Sequence, residues 1–168
     1  MSGHSRWAQI KHKKSLTDQK RGQLFSKLSK AITLAARKGI DPKTNASLAN
    51  AVEQARSANM PNDNIERAIK KVSEKDGAQL EEIAVEAIGP GGVALRITGV
   101  TDNKNRTISE IKKVLSDHNA KMVQPGSIGW MFSTTVQVDQ QTQRGFDKLL
   151  EDLDNNDDVE DIVSNLAD

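Results

Sequence analysis

The 168-residue chain contains no cysteine and no tyrosine, and aromatic residues make up only 3% of it. Without cysteine, neither a disulfide framework nor a thiolate metal site is possible. Its three histidines, His4, His12 and His118, would need carboxylates to complete a zinc site, so we expect no metal or other cofactor. No apolar run approaches the ~20 residues that span a bilayer, and no apolar stretch follows the first charges as in an export signal. We therefore expect a cytoplasmic protein without a membrane partner.

The chain also lacks a recognisable catalytic arrangement of nucleophile, base and orienting group, so we expect no enzyme. The stretch GPGG at residues 89–92 lacks the GK[ST] of a phosphate-binding loop and lies between two predicted strands, which favours a tight turn. The acidic run at residues 151–161 misses the spacing of a calcium-binding loop. We interpret that run as a helix-to-strand loop with solvated carboxylates.

Positive charge is abundant in the first half of the chain and scarce in the second. Residues 1–78 hold 16 Lys and Arg against 7 Asp and Glu, whereas residues 79–168 hold 8 against 16. Residues 1–38 alone carry ten basic residues against one acid, Asp18. The net charge of +1 therefore conceals a predicted polyanion-binding end joined to a neutral-to-acidic remainder.

The most basic stretch is GHSRWAQIKHKK, residues 3–14, which has one tryptophan, no acid and no clean secondary-structure period. Lysine and arginine neutralise phosphates, and an indole stacked on an unpaired base contributes about 1–3 kcal/mol. The alternative is that Trp7 folds back on the helices and the lysines are merely solvated. The predicted nucleic-acid contacts are His4, Ser5, Arg6, Trp7, Lys11, His12, Lys13 and Lys14 in this arm, with Lys20, Arg21, Lys27 and Lys30 following.

Hydrophobic periodicity predicts three helices after the arm. Apolar residues recur at helical spacing from Asp18 to Lys38, with Lys20, Lys27 and Lys30 on the opposite side. A second helix is predicted over residues 45–58, and a third follows the capping-box pair Asp63 and Glu66. None offers a clear recognition helix for duplex DNA, so RNA is the favoured nucleic acid.

The second half alternates between strand and helix patterns. We predict strands at residues 83–88, 93–100, 121–123, 128–138 and 159–166, and helices at residues 105–120 and 146–154. His118 would then lie at the end of a helix, where the helix dipole stabilises a positively charged imidazolium. After the extra leading strand, this is the ferredoxin-like order. We therefore predict an α+β protein with a three-helix domain over residues 1–78, which includes the basic arm, and a ferredoxin-like α/β sandwich over residues 79–168.

Five blocks in order, GHSRWAQIKHKK, KRGQLFSKL, ANMPNDNIERAIKK, GPGGVAL and TDNKNRT, resemble the signatures of the YebC family. That family includes bacterial probable transcriptional regulators and mitochondrial translational activators of cytochrome oxidase subunit one. The resemblance runs from Gly3 to about Phe132 and resumes near Gly145. Family members usually carry a third domain inserted in the second, and here that insertion is predicted to be absent.

The resemblance implies regulation of gene expression without catalysis. One mechanism is a translation factor that engages the ribosome, reaches ribosomal or transfer RNA with its arm and relieves stalled synthesis. The other is a DNA-binding transcriptional regulator. A third possibility is an interaction module whose acidic half docks a basic partner. We expect a monomer. Two matched groups serve either as further contacts or as structure, with equal weight: Asn59, Met60 and Pro61, and Asn103, Asn105 and Arg106.

We predict that deleting residues 1–14 flattens the salt dependence of nucleic-acid binding. About five phosphate contacts give a log–log slope near −4.5, which means a loss of roughly 10²–10³ in affinity between about 50 and 200 mM salt. Fluorescence titrations over a salt series measure the slope for both forms. An unchanged slope would show that the arm is not the contact surface.

Overall fold

A computed structural model describes residues 17–168, which form two compact units. The first, here called the helical unit, comprises residues 17–82 together with Val100–Asn103. The second, the sheet unit, comprises Ile83–Gly99 together with Lys104–Asp168. The predicted α+β class is confirmed. The predicted arm at residues 3–14 lies outside the described residues, and the domain boundary after residue 78 stays a prediction.

The helical unit contains the three predicted helices and one additional short helix. Thr17 caps the first by accepting a hydrogen bond from the Lys20 amide at 3.3 Å, and Asn45 caps the second through the Leu48 amide at 3.2 Å. The last turn of the first predicted helix is a 3₁₀ turn. The helices are α1 (Asp18–Ala35), α2 (Ala46–Ser57), α3 (Asn62–Lys70) and α4 (Lys75–Ala78).

The predicted capping box of the third helix is wrong. α3 begins at Asn62, so its N-cap is Pro61, and no side chain caps it. Asp63 instead lies in the first turn, where a carboxylate is favoured by the helix dipole. The reason is the proline, because its φ of −60° suits the entry into a helix and it has no amide hydrogen to satisfy.

One buried cluster and three hydrogen bonds from two side chains hold these helices together. The Thr33 hydroxyl on α1 donates to the Ala68 carbonyl on α3 at 2.7 Å, in a buried position. The Asn45 amide donates to the carbonyls of Ala35 and Gly39, each at 2.8 Å, so the end of α1 is tied to the start of α2. The cluster consists of Ile32, Ala36, Leu48, Val52, Ala55, Met60, Ile65 and Ala68.

The sheet unit is a four-stranded antiparallel sheet in the order β3-β1-β2-β4, with two helices on one face. Alternate residues of the central strands enter the core with both helices, and Phe146 is fully buried among them. This is the two-layer sandwich expected for the domain. Its elements are β1 (Glu81–Ile88), β2 (Ala94–Thr101), α5 (Lys104–Asp117), β3 (Lys121–Val123), α6 (Gln140–Asp154) and β4 (Val159–Ser164).

The strand predicted over residues 128–138 is wrong. That segment contains a 3₁₀ turn, Gly129–Ser133, and an isolated bridge between Val136 and Leu166. The sheet nevertheless has four strands, because the leading strand β1 is part of it and lies between β2 and β3. The segment instead reaches the face of the sheet opposite the two helices, because Phe132 lies 4.9 Å from the guanidinium of Arg96, which projects on that face.

His118 was predicted only to lie at the end of its own helix, but its side chain contacts a residue on another helix. Its Nε2 lies 2.7 Å from Oδ2 of Asp152 on α6, and Lys148 donates to the other carboxylate oxygen of Asp152 at 2.9 Å. The hydrogen bond from Lys148, followed by that with His118, lowers the pKa of Asp152 from its ordinary value of 3.8. This cluster of three side chains joins α5 to α6.

We predict that Asp152→Asn lowers the unfolding midpoint near neutral pH. Because the folded-state pKa of Asp152 is lowered, its ionised form stabilises the fold above pH 3.8, and that contribution is lost as the pH falls through the lowered pKa. Thermal unfolding followed by circular dichroism at several pH values should show the two proteins converging in acid. Asp161→Asn, at an exposed position, is the control, and a pH-independent difference for Asp152→Asn would contradict the assignment.

Candidate nucleic-acid interface

The four basic residues predicted on α1 differ in their exposure. Arg21 is exposed and lies 3.7 Å from Asp18, while Lys20 and Lys30 are half-buried. Lys27 is only 6% exposed, so it does not lie on the solvated cationic face that its helical position predicted. A buried ammonium requires interaction partners, and Lys27 has at least one. The cationic face of α1 therefore consists of fewer residues than predicted.

The larger group of predicted contacts, in the arm, lies outside the part of the chain that the structure describes. Their role in binding stays a prediction that rests on the sequence. These residues are His4, Ser5, Arg6, Trp7, Lys11, His12, Lys13 and Lys14.

A polar depression of about 200 Å³ lies between α1 and α3 in the helical unit. Ser29 of α1 lines one side, and Asn64, Arg67 and Lys71 line the other. Ala68, which is 2% exposed, completes the lining. These residues are not among the contacts predicted from the sequence. The spacing of four residues between Arg67 and Lys71 could have indicated that both lie on one face. Their approach to Ser29, however, depends on the tertiary packing.

The block Asn59–Met60–Pro61 has a structural role. Asn59 adopts a φ of 63°, a left-handed conformation typical of the residue after a helix, and the Met60 amide donates to the Ala55 carbonyl at 2.9 Å. The Met60 side chain is 4% exposed in the core, and Pro61 precedes α3. These three residues make the turn from α2 to α3.

Two residues of the block TDNKNRT, Arg106 and Thr107, donate hydrogen bonds to a buried carboxylate in the sheet unit. Asp158 is 5% exposed, and its Oδ2 accepts hydrogen bonds from Arg106 at 2.8 Å and from Thr107 at 2.7 Å. The prediction that the acidic run is solvated is therefore wrong at Asp158. Thr101 accepts a hydrogen bond from the Asn103 amide at 2.9 Å, before α5 begins. Asn105 is the second residue of α5 and so is not its cap.

The GPGG stretch forms a tight connection between β1 and β2, as predicted. The Gly89 amide donates to the Val93 carbonyl at 2.8 Å, and Gly91 and Gly92 both have a φ of 76°. A Cβ on Gly91 would lie 2.6 Å from the Val138 side chain. The glycines are needed for backbone conformation and close packing.

The described residues contain neither a metal-binding cluster nor a membrane-spanning helix. Across residues 17–168, no group of three or more histidine and carboxylate side chains could hold a metal ion. None of the helices in this range is both long and apolar enough to cross a membrane.

We predict that Asp158→Asn destabilises the protein by about 1–3 kcal/mol, because it weakens the charge-assisted bonds from Arg106 and Thr107. Urea unfolding measures the change, and the exposed Asp161→Asn should stay within about 0.5 kcal/mol of the wild type. RNA affinity of the folded variant should be unchanged. A loss of RNA affinity at wild-type stability would instead make this cluster a ligand contact.

Comparison with known proteins identifies the family. The family model of the TACO1/YebC protein N-terminal domain matches residues 5–75, and that of the TACO1/YebC second and third domain matches residues 80–135. Proteins named probable transcriptional regulatory protein from Pseudothermotoga lettingae and Petrotoga mobilis are 45% and 46% identical, over 94% and 98% of this chain. The crystal structure of a conserved hypothetical protein from Aquifex aeolicus is 32% identical, with a TM-score of 0.85 over 97% of both chains.

The chain spans about two thirds of the length of these curated relatives, since the alignments cover 67% and 70% of their sequences. A similarly named protein of Natranaerobius thermophilus is 48% identical, with 61% of its own length covered. The predicted absence of an inserted third domain stays a prediction. The resemblance of the five blocks is confirmed, and the chain belongs to the TACO1/YebC family.

Proposed function

We propose that this protein is a non-enzymatic, RNA-binding regulator of gene expression that acts on the ribosome as a translation factor and relieves stalled synthesis. The observation that carries the proposal is a set of basic residues in the helical unit that pair with no carboxylate the structure describes. In the sheet unit, Arg96, Arg106 and Lys148 each face a carboxylate, at 3.8, 2.8 and 2.9 Å respectively. The charge of these residues is largely neutralised within the fold.

In the helical unit, by contrast, Arg56, Arg67, Lys70 and Lys71 form no ion pair with any described residue. The helical unit therefore presents positive charge that is available to a polyanion. The basic arm before it adds four more lysine and arginine residues within residues 3–14. Cations of this kind bind the phosphate backbone, and Trp7 adds a stacking surface suited to the unpaired bases of irregular RNA.

A second candidate function is DNA-binding transcriptional regulation, the activity in the names of the bacterial relatives. One observation favours it: α2 and α3 are joined by four residues, 58–61, a connection of the length found in helix-turn-helix motifs. Against it, Asp63 and Glu66 are exposed in the first half of α3, where a recognition helix would approach phosphates and base edges. Their negative charge disfavours docking of α3 in a major groove, so we prefer RNA.

Sedimentation with purified ribosomes tests the proposal. The full chain is compared with a variant that carries Trp7→Ala, Lys13→Ala and Lys14→Ala. A matched control carries Trp130→Ala, Lys112→Ala and Lys121→Ala, which remove one exposed tryptophan and two exposed lysines from the sheet unit. We expect the arm variant to lose ribosome association and the control to keep it, because the arm supplies phosphate and stacking contacts.

Duplex DNA binding is measured in parallel on the same three proteins. Weak binding without sequence preference is expected, since it depends on phosphate contacts alone. Absence of ribosome association, combined with tight and sequence-dependent DNA binding, would overturn the proposal in favour of transcriptional regulation. A ribosome-bound arm variant would show that the arm is not the RNA contact.

A further inference from the structure

The depression between α1 and α3 has a consistent chemistry. Its polar side chains are the Ser29 hydroxyl, the Asn64 amide, the Arg67 guanidinium and the Lys71 ammonium. Each of these groups can donate hydrogen bonds, two carry a positive charge, and none of the described lining residues is a carboxylate. A ligand that complements this lining is anionic and rich in acceptor oxygens, which describes a phosphate group.

The basic side chains of the depression are not neutralised by the described part of the fold. Neither Arg67 nor Lys71 pairs with any carboxylate side chain that the structure describes. Basic residues at the end of α3 offset the helix dipole, which accounts for the sign of the charge. That effect does not account for the convergence of Ser29 and Asn64 on the same space, because neither carries a charge.

The depression is also held in shape by the packing of its walls. The Thr33 hydroxyl, buried at 2% exposure, donates to the Ala68 carbonyl at 2.7 Å and has the Ser29 carbonyl as a second acceptor at 3.0 Å. Ser29 and Ala68 lie on opposite sides of the depression, so Thr33 links its two walls. A site held in this way needs little reorganisation to bind a ligand.

We infer that this depression is a phosphate-binding subsite for the RNA backbone, formed by Arg67, Lys71, Ser29 and Asn64. The inference rests on the proposed function and adds a contact surface on the folded helical unit, separate from the arm. Its volume of about 200 Å³ is below the range of about 300–1,000 Å³ typical of small-molecule pockets, which suits a single phosphate. Phosphate contacts carry no sequence information, so the subsite positions RNA without selecting its sequence.

Two double variants of the chain, one at the subsite and one elsewhere as a control, test the subsite with a single-stranded RNA oligonucleotide of mixed sequence. Arg67→Gln with Lys71→Gln removes both charges, and Lys38→Gln with Lys43→Gln removes two exposed charges elsewhere in the helical unit. The subsite variant should flatten the log–log salt slope by about 0.7–1.4, which corresponds to one or two lost phosphates on a single strand. The control should change the slope less.

A near-isosteric change provides a second test that leaves the basic residues intact. Asn64→Asp places a carboxylate in the depression and should weaken RNA binding, whereas Asn62→Asp, on the same helix but outside the depression, should not. Circular dichroism checks that both variants keep the fold.

The outcomes separate this inference from the proposed function. If the wild-type chain binds RNA and both subsite changes behave like their controls, the subsite is overturned and the proposed function stands. If the wild-type chain binds no RNA, both fail. If the subsite changes weaken binding to duplex DNA but not to RNA, the subsite belongs to a DNA contact and its assignment to RNA is overturned.

Discussion

The sheet unit depends on the pairing of one buried carboxylate. Removing Asp158 from water would cost several kcal/mol if its charge were not compensated. Arg106 and Thr107 provide that compensation from the first turn of α5, where the helix dipole also favours negative charge. Gly99 allows the backbone of β2 to pass so close that a Cβ there would collide with the Asp158 carbonyl. The Asp158 carboxylate therefore positions the start of α5, and its backbone packs against β2 just before β4 begins.

This arrangement changes how the family blocks are interpreted. Blocks of polar and charged residues such as TDNKNRT suggest ligand contacts, but in this chain Arg106 and Thr107 are engaged by Asp158, and Met60 of the ANMP block is in the core. Basic residues that lack such a carboxylate among the described residues include Arg67 and Lys71 of the helical unit. The charge that the fold leaves available on the helical unit is the basis of the proposed RNA-binding role.

Local patterns predicted most of the elements because those elements are stabilised locally. The apolar period of α1, the Asn45 cap of α2 and the alternation in β2 are all readable along the chain. The strand expected over residues 128–138 failed because strand pairing is decided by distant partners: β1 lies between β2 and β3. The beginning of α6 was missed because QQTQR has no apolar residue, and its start is set by Asp139, which accepts the Thr142 amide at 2.7 Å.

The candidate site was less predictable than the fold, for a related reason. The sequence indicated where positive charge is concentrated, but it could not show that Lys27 is buried or that Ser29 approaches Arg67 across two helices. Burial and convergence of side chains depend on tertiary contacts, which have no fixed spacing along a chain. The same limit applies to Asp158, whose partners Arg106 and Thr107 lie about fifty residues earlier.

The bridge between Val136 and Leu166 has a consequence for self-association. β4 lies at one edge of the sheet, and exposed edges are templates on which further strands add. Past the end of β4, Val136 accepts the Ala167 amide and donates to the Asn165 carbonyl, each at 2.8 Å, so these backbone groups are already paired. At the opposite edge, β3 has only three residues and offers a short template. Addition of a further strand is thereby limited just past the end of β4, where the backbone is already paired, and at β3, where the template is short.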